Sequence, residues 1–227
     1  MEDKKYTYRK VNPSDINDIN RYLAIQKQLK DFLKVNARDL TEEQIKWLRI
    51  RMGAYELLSD INGKDKVLSD RLQRQVDEIV YLCEVDDEVT GFCAICTYHI
   101  KDGERLDDNI GIISDIYVKE EYRNGDIAYK LLQLAIKELL QANKTAVVME
   151  VQEDNPNRFL HFALADKILF KEKCKRNDGT ITISYSLLIS DVRKIQKIEP
   201  RELALKAIKI KKDFIDNKLE EPRFILS

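Results

Sequence analysis

The chain has 227 residues, 44% of them hydrophobic and 35% charged, with a formal net charge of -1 at pH 7. That is enough chain for one well-buried core, or for one domain with an appendage, and the near balance of Lys and Arg against Asp and Glu argues against a phosphate-backbone footprint and so against a nucleic-acid partner. No stretch approaches the roughly 18 apolar residues of a membrane span, and no apolar run follows Met1-Glu2-Asp3-Lys4-Lys5, so no membrane partner is expected and the protein is read as cytoplasmic.

Tyr6 to Val11 alternates weakly and stops at Asn12-Pro13, which suits a first strand. Ser14 or Asp15 can cap a helix with Ile16, Ile19, Leu23 and later Phe32 and Leu33 as its apolar positions. Thr41-Glu42-Glu43-Gln44 has the capping-box pattern, and Ile45, Leu48, Met52 and Tyr55 follow at helical spacing. After a break at Ile61-Asn62-Gly63, the spacing of Leu68, Leu72, Val76 and Ile79 predicts a third helix. The period then changes: Val80 to Val85 and Val89 to Ile100 are rich in β-branched and aromatic residues, and Asp86-Asp87-Glu88 between them predicts a hairpin.

Beyond a turn at Asp102-Gly103, Ile110 to Val118 reads as a further strand. A helix with Ala128, Leu131 or Leu132, Ala135 and Leu139 along one stripe follows it. Thr145 to Val151 is expected to be a strand, Pro156 to Lys167 a helix, and Thr180 to Ile189 a last strand. Pro200 suits the first turn of a C-terminal helix in which Leu203, Ala207, Ile210 and Phe214 recur. That stripe has two readings, docking back on the same domain or joining two chains as a homodimer.

Cys93-Ala94-Ile95-Cys96 has the spacing of zinc and redox sites, yet residues three apart in a strand face opposite sides. With only His99 and His161 as further ligands, the four cysteines read as reduced thiols, and no metal is expected.

The informative segment is Ile116 to Ala128, where a strand passes through a charged turn, Lys119-Glu120-Glu121-Tyr122-Arg123-Asn124-Gly125-Asp126, into a helix. Amides at a helix start lack partners inside the helix and carry the positive end of its dipole, so the turn can hold an anionic, phosphorylated ligand. Strand-turn-helix units without a ligand are also common, and the segment alone leaves both readings open.

The order of elements, together with this segment, resembles the GNAT superfamily of acyl-CoA-dependent N-acetyltransferases. The family signature is Arg or Gln, two residues, Gly, one residue, then Gly or Ala. Arg123 and Ala128 match its outer positions, Val118 stands five residues before Arg123, and Asn155 lies between the fifth strand and the next helix. The resemblance covers roughly residues 6 to 190. It implies an α/β (α+β) fold, a mixed, mostly antiparallel central sheet flanked by helices, with an additional C-terminal helix. The implied organisation is a domain over 1–190, with a long helical N-terminal part at about 14–79, and a helical extension over 191–227.

The resemblance implies acetyl-CoA as cosubstrate and acetyl transfer to a primary amine of a small molecule or peptide. By position, Ile116, Tyr117 and Val118 would face the pantetheine arm, and Arg123, Asn124, Gly125, Asp126, Ile127 and Ala128 would cradle the diphosphate. Asn155 would assist from the other side. The first Gly of the signature is here Asp126. At about 6 Å and an effective dielectric near 20, its charge would repel a phosphate charge by about 3 kcal/mol. The helix terminus returns only about 0.3 to 1 kcal/mol, so either Asp126 points away from the phosphates or the coenzyme binds weakly, and a carboxylate bonded back to a first-turn amide is the reading that preserves binding.

Amine acylation needs a base, because an amine of pKa near 10.4 is neutral in only about one molecule in 2,500 at pH 7. Glu150 in the fifth strand, spaced from Asn155 as in family members that use such a glutamate, is the first candidate, with Asp115 second. The family's acid is a tyrosine twelve residues after that glutamate. Phe162 holds that position, or Ala165 if the count runs back from Phe170, and neither has a hydroxyl. His161 is the titratable neighbour considered instead. Phe162 and Asp126 also motivate an alternative, a coenzyme-binding or interaction module that keeps the fold without turnover.

Overall fold

The computed structural model describes residues 5–34, 39–54, 56–57, 78–97, 100–101, 104–105, 109–123, 126–176 and 178–216. In chain order the elements are β1 (Tyr6–Lys10), α1 (Ile16–Phe32), α2 (Glu42–Arg51), β2 (Glu78–Val85) and β3 (Glu88–Cys96). A short pair follows, β4 (Ile100–Lys101) and β5 (Glu104–Arg105), then β6 (Ile110–Val118), α3 (Ile127–Gln141), β7 (Ala146–Gln152) and α4 (Arg158–Leu164). The chain continues through β8 (Lys167–Lys175), β9 (Ile181–Ile189), α5 (Arg193–Lys197) and α6 (Pro200–Asp216).

Seven strands form one sheet in the order β1-β2-β3-β6-β7-β9-β8. Every neighbouring pair is antiparallel except β6 and β7. A parallel pair needs a long crossover, and α3 supplies it. Alternation along β3 divides the core. Cys93 and Ile95 face α3 with Ile113, Val147 and Leu187, whereas Phe92 and Ala94 face α1. Cys93 is therefore buried on one face of the sheet and Cys96 lies toward the other, as their spacing predicts.

Local signals set the helix starts. The Asp15 carboxylate accepts from Asn17 N at 2.9 Å. Thr41 Oγ1 accepts from Gln44 N at 3.2 Å while Gln44 Oε1 accepts from Thr41 N at 2.9 Å, a complete capping box. The buried stripe of α1 is Ile19, Tyr22, Ile25 and Leu29, and Ile16 and Phe32 are exposed. The expected stripe was out of phase because Tyr22, half polar, is the residue that fills the sheet contact, edge-on to Phe92 at 5.4 Å.

Four boundaries differ from expectation. Ile79 belongs to β2, not to a helix, and the rest of the predicted third helix lies outside the described residues, as do the turn at Asp102-Gly103 and all of 58–77. β3 ends at Cys96. α4 is shorter than Pro156 to Lys167, and Lys167 opens β8, which the sequence reading missed. β8 is an edge strand whose Lys167, Lys171, Glu172, Lys173 and Lys175 obscure its alternation. Charge on an edge discourages further strand pairing.

α6 docks on the same body. Leu203, Ala207 and Ile210 are buried in the α3-side core, and Phe214 meets Phe159 of α4 at 5.8 Å. Leu205, Ile208 and Ile215 remain exposed on its other side. Among the described residues no helix is long and apolar enough to cross a membrane.

Candidate active site

β6 carries one extra residue. Ala94 stands opposite Asp115 and Ile95 opposite Ile113, which leaves Ser114 as a bulge. The bulge shifts the alternation by one, so Ile113, Ile116 and Val118 share the α3 side while Tyr117 packs with the α1 side. Asp115 is carried to the α1 side as well.

The β6–β7 ladder ends at Ile113 opposite Met149, one residue before the bulge. Beyond it β6 runs on to Val118 against β3, and β7 runs on to Gln152 against β9. The two parallel strands thus part into a gap in the middle of the sheet. Lys119 N donates to Thr90 O at 2.8 Å, and Gly91 stands opposite Val118. Hydrogen-bonding direction alternates along an antiparallel pair, so Tyr117 turns its N–H and C=O toward β3, and Ile116 and Val118 turn theirs into the gap.

At the end of the gap the chain makes a single 3-10 turn, Glu120–Tyr122, and enters α3. Arg123 Nε donates to Val118 O at 2.9 Å, and its guanidinium lies 4.9 Å from the Phe32 ring and 5.7 Å from that of Tyr117. Asn124 and Gly125 lie outside the described residues. The Asp126 side chain makes no cap hydrogen bond to the first turn of α3, so the expected bond from its carboxylate back to a first-turn amide is not formed. Asp126 is exposed instead. The Tyr8 hydroxyl is pushed up mainly by burial and by Cys83, and the charge of Asp126 adds to that shift. Ile127 is buried where α3 meets β3. A Cβ on Gly91 there would meet Tyr117 O at 2.9 Å, Val118 Cγ2 at 3.2 Å and Ile127 Cγ2 at 3.4 Å.

On the α1 side a cleft of about 460 Å³ opens between α1 and α2, with Ser114 and Asp115 at its floor. Glu78 reaches the same floor from β2, where it pairs with Arg51 at 2.9 Å and accepts from Tyr22 Oη at 3.3 Å. Gln26 Nε2 in turn donates to Tyr22 Oη at 3.0 Å. Burial, and secondly the charge of Glu78, push Asp115 up to about 6, against the pull of Lys30 and a hydrogen bond from Gln26. Sequence reasoning missed Tyr22, Gln26, Lys30, Arg51 and Glu78. The signal for the first three was their spacing of four, which sets one polar stripe along α1.

Glu150 is exposed on the same face from β7, where its Oε1 accepts from Ser186 Oγ at 3.1 Å. Asn155 shapes the turn into α4, accepting with its side-chain oxygen from Asn157 N at 2.9 Å. His161 is half-buried, its Nδ1 is 3.1 Å from Asn157 O, and burial pushes its pKa below the ordinary value. Phe162 is core, edge-on to Tyr185 at 5.3 Å and to Phe159 at 6.0 Å, and Ala165 is buried too. Asp115 and Glu150 therefore flank the gap on one face, and His161 stays with the α4 turn.

Residues 45–161, just over half of the chain, match the family model described as Acetyltransferase (GNAT) family. No curated protein matches the chain. Among solved structures, an N-acetyltransferase from Staphylococcus aureus Mu50 aligns with a TM-score of 0.57 at 19% identity, over 83% of this chain and 99% of that one. A GNAT-family acetyltransferase from Streptococcus pneumoniae gives 0.54 at 16%, over 81% and 98%. A Salmonella typhimurium protein solved with its cofactor acetyl-CoA gives 0.53 at 16%, over 82% and 93%. At these identities the likeness is one of fold: the same mixed sheet flanked by helices.

Proposed function

Because the chain belongs to the acetyltransferase (GNAT) family, we propose that it transfers an acetyl group from acetyl-CoA to an amine of a small molecule or peptide, in the cytoplasm. Acetyl-CoA supplies the acetyl group as a thioester. The observation that carries the reading is the parting of β6 from β7 after Ile113 and Met149, beside a helix start that the Asp126 side chain leaves uncapped.

The residues present fit the coenzyme. Ile116, through N–H and C=O, and Val118, through N–H, would bind the amide-bearing arm, with Tyr117 between them on the cleft face. Arg123, Asn124, Gly125, Asp126, Ile127 and Ala128 would surround the diphosphate, and the open first-turn amides of α3 would donate to it. Asn155 commits its oxygen to Asn157 N and keeps its NH2 group for the arm.

The proton is handled on the cleft side. An acceptor ammonium must lose a proton before its nitrogen can attack a thioester carbonyl carbon. Asp115, pushed up to about 6, is mostly ionised at pH 7 and still basic enough to take that proton, so we assign it as general base in preference to Glu150. Glu150 is assigned to hold the acceptor nitrogen from the β7 side. His161, driven toward its neutral form, is a weak proton donor, and α4 offers no hydroxyl in its place.

Calorimetry with acetyl-CoA, followed by thiol release across a panel of amines, tests the reading. Binding with release is expected, and no heat at millimolar coenzyme would overturn it. The burial of Phe162 and Ala165 favours one second reading, a coenzyme-binding module without turnover. Its outcome would be saturable binding with no thiol release from any amine.

A further inference from the structure

The cleft above Asp115 is charged in two separate places. Glu78 already has its partners, since Arg51 pairs with it at 2.9 Å and the Tyr22 hydroxyl donates to it. Asp115 is different: among the described residues it makes no ion pair, and its polar neighbour is the Gln26 carboxamide. Lys30, one turn further along α1, lines the same cleft and also makes no ion pair among the described residues. It is near enough to act on Asp115 through space and too far to bond it. Among the described residues, a carboxylate and an ammonium without ion-pair partners therefore face one space without closing on each other.

Such a space selects by charge. A simple amine would satisfy Asp115 and leave Lys30 alone. A polyamine would bring a second cation toward Lys30 and the half-exposed Arg51, where like charge repels it. A molecule with an ammonium and a carboxylate on neighbouring atoms answers both. The remaining wall supplies a third criterion, because Leu40, Trp47 and Leu48 give it an apolar surface. A hydrocarbon or aromatic group placed there loses water contact.

Resting on the acetyltransferase reading above, we propose that the acceptor is a free α-amino acid with an apolar or aromatic side chain. Its ammonium lies at Asp115, its carboxylate at Lys30 and its side chain against Trp47 and Leu48. In the reaction Asp115 takes one proton from the ammonium, the N–C bond forms as the C–S bond of the thioester breaks, the further proton lost by the acylated nitrogen goes to the departing thiolate, and the products are an N-acetyl amino acid and the free thiol.

The test compares phenylalanine, leucine, methionine and tryptophan with their carboxamides and with spermidine, in wild type and Lys30→Met, by thiol release with acetyl-CoA. For at least one amino acid, wild type is expected to prefer the acid to its carboxamide by about ten- to hundredfold in kcat/KM, the worth of one hydrogen bond to a charged group. In Lys30→Met that ratio should collapse toward one while acetyl-CoA affinity by calorimetry stays at the wild-type value. A preference for carboxamides or spermidine, no turnover of any amino acid, or an unchanged ratio in Lys30→Met would overturn the proposal. Absence of acetyl-CoA binding would instead overturn the acetyltransferase reading, so the two failures are distinct.

Discussion

Asp115, which faces α1 from β6, and Asp18, within α1 itself, show how position decides what an aspartate does. Asp115 has a pKa raised above its unfolded value, so its ionisation opposes folding. Its protonated form is favoured by the fold, and the stability it lends is lost as pH rises from about 4 through about 6. Asp115→Asn should therefore be more stable than wild type by about 1 to 2 kcal/mol at pH 7, a figure discounted for partial exposure, as read by urea unfolding. It should also lose about a hundredfold or more in kcat, and the acid limb near pH 6 in the wild-type profile should vanish. Asp18 behaves in the opposite sense. Burial alone would raise its pKa, but Arg9 at 2.6 and 2.7 Å and the Asn12 amide at 2.9 Å outweigh burial and hold it below the ordinary range. Arg9 also bonds Glu84 at 2.7 Å, tying β1, α1 and β2 together. This stability is present above about pH 4, the unfolded value, and is lost as pH falls through the depressed folded value. Asp18→Asn is expected to cost about 1 to 3 kcal/mol in urea unfolding at pH 7 and progressively less below pH 4.

At the scale of elements, the bulge at Ser114 does two things. It ends the β6–β7 ladder, and it changes which face Asp115 and Tyr117 occupy. Nothing in Ile110 to Val118 announces it, because the run of apolar residues reads equally well as an unbroken strand. The close approach of β3, β6 and the start of α3 depends on Gly91, where a side chain would press on the backbone oxygen of Tyr117. Gly91→Ala should push β6 by a few tenths of an ångström, cost about 1 to 3 kcal/mol in urea unfolding, and weaken acetyl-CoA binding by calorimetry. Unchanged affinity would show that the gap tolerates this shift. The strand β8 was illegible for a different reason: an edge strand exposes most of its side chains, so alternation of polarity, the usual signal, is erased.

For the whole molecule, the docking of α6 decides whether the C-terminal region is an appendage or part of the core. Ile210 is 1% exposed within the α3-side core, so Ile210→Ala should cost about 2 to 4 kcal/mol and lower the single unfolding transition of the entire domain. A loss confined to a separate, earlier transition would mark 191–227 as an independent extension. The outward Leu205, Ile208 and Ile215 keep a homodimer contact as a proposal, and Ile208→Glu should then shift the sedimentation of the protein toward a monomer. The helix caps at Asp15 and Thr41, the strand-turn-helix at Val118 to Ala128 and the inward stripe of α6 were legible in the sequence, because each rests on contacts between residues a few positions apart. So was the family, through that segment and the order of elements. The cleft was not legible: Glu78, Asp115 and Lys30 come from β2, β6 and α1, and it took strand pairing, one extra residue in β6 and the packing of α1 on the sheet to bring them to one floor. Sequence periodicity records which face a residue prefers within its own element, and only tertiary pairing determines which distant face it meets.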